Sequence, residues 1–341
     1  MRASDRVPLG RTKLTVTRMG MGTGPLGMVH DQDTWAGVVE AAWKAGIRAF
    51  DTSPYYGFGN SEQWLGKLLA ERPREEYVLS TKVGRLLRPE GRIDKFAEAF
   101  YYPGGMPDNV PRTVYDYSAA GTGQSLVESR KRLGLDRIDI AHIHDIIELD
   151  TGVSHVDEAI SEAFPVLADL RDQGVIGAVG AGVQVNQVLV DLVRACDFDC
   201  FLLAGRYTLL DQSGLEEALP LCAAKGIAVI IGSPYNTGIL HDPRPDSTFD
   251  FVQAPTHLIE RALQLKEACA RHGVPLPAAA IQFPLGHPAV AMVLTGAMTA
   301  AELEENVRLM EVEIPEDLWH ELRDAGLIRA EAPLPCGCVP A

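Results

Sequence analysis

The chain has 341 residues, 46% of them hydrophobic, and 46 Asp and Glu against 31 Lys and Arg give a formal net charge of −15. That balance argues against a nucleic-acid or anionic-membrane partner, since both favour a basic surface. No run of about 18 apolar residues is present, so no membrane span is expected. The opening MRASDRVPLGRTKL has no apolar secretory core, which predicts a cytoplasmic location.

From the N-terminus, residues 7–16 read as a short hairpin able to plug one end of a barrel. An apolar run at 18–23 follows, then a helix-like stretch at 32–45 that stops at Ala45-Gly46. The pattern repeats: runs at 47–51, 77–82, 138–144, 176–181, 200–204, 228–232 and 290–296, helices at 61–70, 123–133, 157–173, 187–195, 215–225, 257–271 and 300–310. The runs show little polar alternation, as strands buried on both faces do. Eight strand–helix units predict a closed parallel (β/α)8 barrel, one domain over residues 1–341. An open doubly wound sheet is the competitor. Its Gly-rich first turn has a fixed spacing that Met19-Gly20-Met21-Gly22-Thr23-Gly24 lacks. Two long segments, 86–119 and 236–255, follow the third and seventh strands and are expected as functional loops at the C-terminal face. The six cysteines are sparse, which fits reduced thiols, and Cys336-Gly337-Cys338 reads as an exposed terminus.

Barrel active sites lie at the C-terminal strand ends. The second run closes on Asp51, the third on Lys82 and the fourth on His144, and Tyr56 lies just past the second. Neighbouring strands are about 4.8 Å apart, so an acid, an ammonium and an imidazole should share one patch. Taken singly, the aspartate reads as a helix cap, the lysine as solvated and the histidine as structural. Three successive strand ends together favour function. Asp51 is expected to pair with Lys82, and the Lys82 charge to lower the Tyr56 phenol. A tuned phenol exchanges a proton with a carbonyl or carbinol oxygen that His144 orients. The set holds no nucleophile and no electron carrier, so a hydride cofactor is implied.

Asp51-Thr52-Ser53-Pro54-Tyr55-Tyr56-Gly57, Ser80-Thr81-Lys82 and Leu133-Gly134-Leu135-Asp136 leading to His144 resemble the aldo-keto reductase family. The resemblance spans nearly the whole chain. It implies a barrel that binds NADPH or NADH, with Asp51, Tyr56, Lys82 and His144 as catalytic tetrad and Tyr55, Tyr56 and His144 facing substrate. Val114-Tyr115-Asp116-Tyr117-Ser118 and Tyr235-Asn236-Thr237-Gly238 are similar to the aldose 1-dehydrogenase branch, which includes L-fucose, D-threo-aldose and pyridoxal 4-dehydrogenases. Members of that branch oxidise a cyclic hemiacetal to a lactone. The resemblance places cofactor on Thr23, Gly24 and Asp51, on Ser233, Tyr235, Thr237 and Gly238, and on Gly296, Met298, Glu302, Glu305 and Asn306. The last group opens a helix whose N-terminus suits phosphate.

Three departures matter. Many relatives hold the carboxamide with Ser-Asn after the fifth strand, where this chain has Gly182-Val183-Gln184, and Gln184 is expected to substitute. Gly232 stands where a tyrosine often stacks on the nicotinamide. Glu302 stands where NADP users often carry arginine, and its charge would repel a 2′-phosphate, so NAD is expected over NADP. The alternatives are an NADPH-dependent reductase of aldehydes or ketones and a non-catalytic cofactor-binding subunit. His142-Ile143-His144 resembles a metal pair, yet no later run ends in histidine, so no metal is expected and His142 reads as a hydrogen-bonded interior or peripheral group. The expected partner is a small sugar or other aldehyde or hemiacetal, with a homo-oligomer allowed.

Overall fold

The computed structural model describes residues 1–91, 95–148 and 151–335. Eight parallel strands close into a barrel: β1 Met19–Gly22, β2 Ala49–Asp51, β3 Val78–Val83, β4 Ile140–His144, β5 Ala178–Val183, β6 Cys200–Ala204, β7 Ala228–Gly232 and β8 Val290–Gly296. They follow one another round the ring in chain order, and β8 pairs with β1 through Val293–Met19 to Gly296–Gly22. The expected strand set is therefore present, and the open sheet is excluded.

Strand parity decides what faces in. Ala49, Val78, Ile140, Ala178, Cys200, Ala228 and Ile230 form an inner cluster with Leu9 and Val16 of the hairpin Arg6–Pro8/Thr15–Thr17. That hairpin plugs the N-terminal end. Counting by twos along the same strands places Asp51, Ser80, Lys82, His142 and His144 on the inward face nearer the C-terminal mouth. The alternate residues, such as Phe50, Leu79, Ile143 and Val179, pack outward in the core shared with the helices.

The outer helices are α1 Gln32–Lys44, α2 Asn60–Leu69, α3 Ala119–Leu133, α4 Phe164–Asp172, α5 Asn186–Ala195, α6 Ala218–Lys225, α7 Thr256–Arg271 and α8 Ala300–Glu311. Asp31, Ser118 and Thr299 cap three of their N-termini with side-chain oxygens. The stretch 157–173 is broken by a π-turn at Ala159–Ala163 just before Pro165, whose missing N–H cannot continue the ladder.

Five elements, three helices and two hairpins, lie outside the sequence expectation. Leu276–Gln282 is nearly all apolar and buried, so it has no polar face to give a helical period. Glu316–Asp324 follows the last strand and buries Trp319. The 86–119 segment contains a hairpin, Arg85–Arg88 with Arg112–Tyr115, and the helix Lys95–Tyr101. The 236–255 segment folds back through Thr248–Phe249 and Val252–Gln253. Cys196, Cys200, Cys222 and Cys269 are free thiols, and the Cys336/Cys338 pair lies outside the described residues.

Candidate active site

Asp51 ends β2 between Gly22 of β1 and Ser80 of β3. Its Oδ1 accepts from Lys82 Nζ at 2.5 Å and its Oδ2 from Ser80 Oγ at 2.6 Å, while Nζ also donates to the Thr52 carbonyl at 3.0 Å. Both charged side chains are at most 3% exposed. Such a pair persists only with its hydrogen bonds complete. The lysine stem runs across Gly182 of β5, where an added Cβ would sit 3.7 Å from Lys82 Cε.

Tyr56 opens a tight turn through Gly59. Gly57, Phe58 and Gly59 all have positive φ, and a Cβ on Gly57 would meet the Gly27 carbonyl at 2.9 Å. The turn throws the Tyr56 ring back over the strand ends. Lys82 Nζ lies 4.5 Å from the ring centroid, and the His144 ring stands nearly perpendicular at 5.8 Å. Asp51, Tyr56, Lys82 and His144 are thus brought together as the sequence implied.

The expected effect of Lys82 on the phenol is not what the surroundings produce. Burial pushes Tyr56 well above the usual tyrosine value, and the Asp51 and Asp145 carboxylates push the same way, opposed by Arg85. The ammonium is matched by a carboxylate at 2.5 Å. It does not act on the ring as a free cation, so desolvation dominates.

His144 is buried, its Nδ1 3.1 Å from Ser53 Oγ and its Nε2 3.4 Å from Asp145 Oδ2. Ser53 Oγ already accepts the Tyr55 N–H at 3.1 Å, so its own proton is available to Nδ1. When that proton goes to Nδ1, the ring hydrogen sits on Nε2. Burial, then Arg85, Lys82 and His142, hold the imidazole well below its ordinary value, hence neutral.

Beneath it, His142 is interior, as one reading had it, but neither of its ring nitrogens has a hydrogen-bond partner among the described residues. Burial pushes it down to about 4. Tyr55 is 4% exposed and packs between His144, Arg85 and Tyr101, so it buttresses the site.

Arg85 is a residue the sequence reading missed. It is 1% exposed, its Nη2 lies 3.0 Å from Asp145 Oδ2, and its guanidinium carbon sits 4.2 Å from the Tyr55 ring centroid. A charged residue three positions past Lys82 was the available signal, with Asp145 directly after His144.

Apart from Gln184, the proposed cofactor residues gather where β7, β8 and β1 adjoin. Thr23 donates through N–H and hydroxyl to the Asp51 carbonyl, at 3.0 and 3.1 Å. A Cβ on Gly24 would touch the Tyr56 ring at 3.8 Å. Tyr235 donates to Asn306 Oδ1 at 2.8 Å, and Asn306 Nδ2 lies 3.5 Å from the Gly296 carbonyl. The loop after β7 is thereby joined to the start of α8. That loop turns through left-handed Ser233, Asn236, Thr237 and Gly238, with open space where a Gly238 Cβ would be. Within the bend the Asn236 and Gly238 N–H groups donate to the Ser233 and Tyr235 carbonyls at 2.9 and 3.0 Å. Thr237 ties down the loop by donating to the Thr248 carbonyl at 2.8 Å. Gln184 ends β5, and its carbonyl accepts from Arg206 Nε at 2.8 Å.

At the α8 N-terminus, Thr299 Oγ1 accepts the Glu302 N–H at 3.2 Å and Glu302 Oε2 accepts the Met298 N–H at 2.8 Å. The arrangement resembles a capping box, with the glutamate reaching the residue before the cap. Glu305 lies 3.9 Å from His241, both half exposed.

A model of the aldo/keto reductase family matches residues 18–326. The chain is 40% identical to D-threo-aldose 1-dehydrogenase of Pseudomonas sp over 321 residues, covering 92% of this chain and 95% of that protein. It is also 40% identical to pyridoxal 4-dehydrogenase of Microbacterium luteolum, over 96% of this chain and 99% of that one. A holo-form aldo-keto reductase of Bacillus halodurans superposes with a TM-score of 0.75 at 23% identity, over 96% of this chain and 98% of that one.

Proposed function

The chain belongs to the aldo/keto reductase family and is an NAD(P)-dependent oxidoreductase, and from that premise we propose that it oxidises the anomeric hydroxyl of a cyclic hemiacetal, of aldose or pyridoxal type, to a lactone. The observation that carries this reading is the buried Lys82–Asp51 pair lying 4.5 Å under the Tyr56 ring, beside a neutral His144. A bound nicotinamide supplies the hydride acceptor for the carbinol C–H. Tyr56 Oη takes the hydroxyl proton, the His144 Nε2–H holds the same oxygen, and Lys82 and Asp51 fix the floor of the site. The relatives' names support the hemiacetal substrate class.

NAD is the preferred cofactor in this reading. Glu302 holds its carboxylate over the Met298 N–H, where it repels a 2′-phosphate and offers an acceptor to a 2′-hydroxyl. Thr23, Gly24, Gln184, Ser233, Tyr235, Thr237, Gly238, Gly296, Glu305 and Asn306 complete the proposed cofactor groove. Residues 1–341 are taken as one domain. The plugging hairpin and the contact of Glu316–Asp324 with α7 support this. The raised Tyr56 phenol favours a second direction, reduction of an aldehyde or ketone by the same residues with Tyr56 as acid.

The test is a screen of aldoses and pyridoxal with NAD and with NADP, following absorbance of the reduced cofactor, in native protein and Tyr56→Phe. Turnover with NAD that falls by about 10²-fold or more in Tyr56→Phe is expected. Equal turnover in the variant overturns the role of Tyr56, and a strong NADP preference overturns that of Glu302.

A further inference from the structure

Past the end of β3, Gly84 turns the chain with φ +96, and a Cβ there would come within 2.2 Å of the Tyr117 ring. The turn delivers Arg85 into the protein beside Asp145. The guanidinium lies between the rings of Tyr55 and Tyr115, at 4.2 and 5.0 Å from their centroids, and bonds Asp145 Oδ2 at 3.0 Å. Asp145 is held in a left-handed backbone conformation, φ 31. Its N–H donates to the Gly182 carbonyl at 2.9 Å, and the Tyr117 hydroxyl bridges the carbonyls of His144 and Asp145 at 2.7 and 2.8 Å. Strain of this kind persists only where the surroundings over-determine it. A buried ion pair is also a poor source of stability compared with apolar packing. Both facts ask for a use.

We propose that the Arg85–Asp145 pair positions His144, fixing which ring nitrogen carries its hydrogen and aiming that N–H at the substrate oxygen. The Ser53 hydroxyl takes Nδ1, and the Asp145 carboxylate faces Nε2 at 3.4 Å. A bare carboxylate at that distance would draw a second proton onto the ring and hold it. With Arg85 on the same oxygen, the carboxylate attracts the Nε2–H enough to orient it and leaves the imidazole uncharged. The groups that face His144 are Ser53, Tyr55 and Tyr56 from the loop after β2, and Lys82 and Arg85 from β3 and the turn after it. His142 and Asp145 flank it along its own strand, Tyr117 holds its carbonyl, and Gly182 of β5 carries no side chain. Among them the only anion beside the ring is Asp145. Lys82 and Arg85 both disfavour a charged ring.

This inference rests on the tetrad reading for its kinetic part alone. The decisive measurement is an NMR titration of the imidazoles in cofactor-free protein, with His144 assigned by His144→Gln among the nine histidines. In native protein and in Arg85→Lys, His144 stays neutral with its hydrogen on Nε2 to well below the ordinary histidine range. In Arg85→Met its titration moves up by at least about one pH unit, the size expected for removing a cation in contact range. Arg85→Met with Asp145→Asn restores the neutral ring. If Arg85→Met does not fold, Asp145→Asn carries the test through the imidazole nitrogens. Losing the carboxylate that faces Nε2 frees the His144 hydrogen to sit on either nitrogen, read from the ring nitrogen shifts. A His144 titration unmoved in Arg85→Met, or a His144 hydrogen still confined to Nε2 in Asp145→Asn, makes the pair merely structural and overturns the proposal. Loss of turnover with the shifts intact would count against the proposed reaction instead.

Discussion

Substituting Lys82 tests the floor of the site directly. Lys82→Met keeps the length of the stem and removes the ammonium. It strands the Asp51 carboxylate, 2% exposed, with Ser80 Oγ as its remaining side-chain donor. Breaking a buried pair in this way costs about 3–5 kcal/mol. Unfolding entropy of about 2.1 cal/mol/K per residue over 341 residues gives about 0.7 kcal/mol/K, so the melting temperature should fall by about 4–7 °C. Lys82→Met with Asp51→Asn removes both charges. The Asn oxygen can still accept from Ser80, and one amide N–H is left without a partner, at about 1–2 kcal/mol or about 1.5–3 °C. Calorimetry of native, single and double variants reads the difference. A single variant that melts no lower than the double would mean that Asp51 is not left as a stranded buried charge, and the reasoning about the pair would fail.

The raised Tyr56 phenol sets a sign for the pH dependence. Because the protonated form dominates at neutral pH, the base form grows about tenfold per pH unit, so kcat/KM for oxidation should climb with pH while that for reduction holds and then declines; an oxidation profile flat from about pH 6 to 9 would refute it. Glu302→Ala opens the capping box and removes a repelling charge. It should lower KM for NADP by about fivefold and the melting temperature by about 1 °C, with KM for NAD unchanged or raised; an unaltered NADP KM would detach Glu302 from cofactor choice.

The barrel was legible because its strands are short, continuous apolar runs closed by a polar residue, and because eight of them recur between helices. Asp51, Lys82 and His144 stood out for the same reason: each is the ionisable group that closes such a run. Arg85 did not stand out. It lies beyond a glycine on what becomes a separate hairpin, and its burial is supplied by Tyr55, Tyr115 and Tyr117, which come from two distant loops. The pattern Thr299-Ala300-Ala301-Glu302 carries a capping-box signature, yet a helix start beside a glycine reads equally as a phosphate seat. The Glu302 bond to Met298 shows the capping role. The isolation of His142 was equally hidden, since period-two parity places the ring inside without saying what it meets.

The charges around Tyr56 explain why its phenol is not acidic on its own. Two cations, Lys82 and Arg85, face two anions, Asp51 and Asp145, and each cation is bonded to one anion at 2.5 and 3.0 Å. From the phenol, each pair is a dipole whose field falls off faster than that of a single charge. What remains is the cost of placing a phenolate in a dry pocket. Burial, with Arg85 and Lys82 nearby, keeps His144 uncharged, so both groups enter the reaction as hydrogen-bond donors to one oxygen. That arrangement suits delivery of a proton to a carbonyl directly. It suits removal of a proton from a carbinol only once an unmatched positive charge joins the site, and an oxidised nicotinamide carries one.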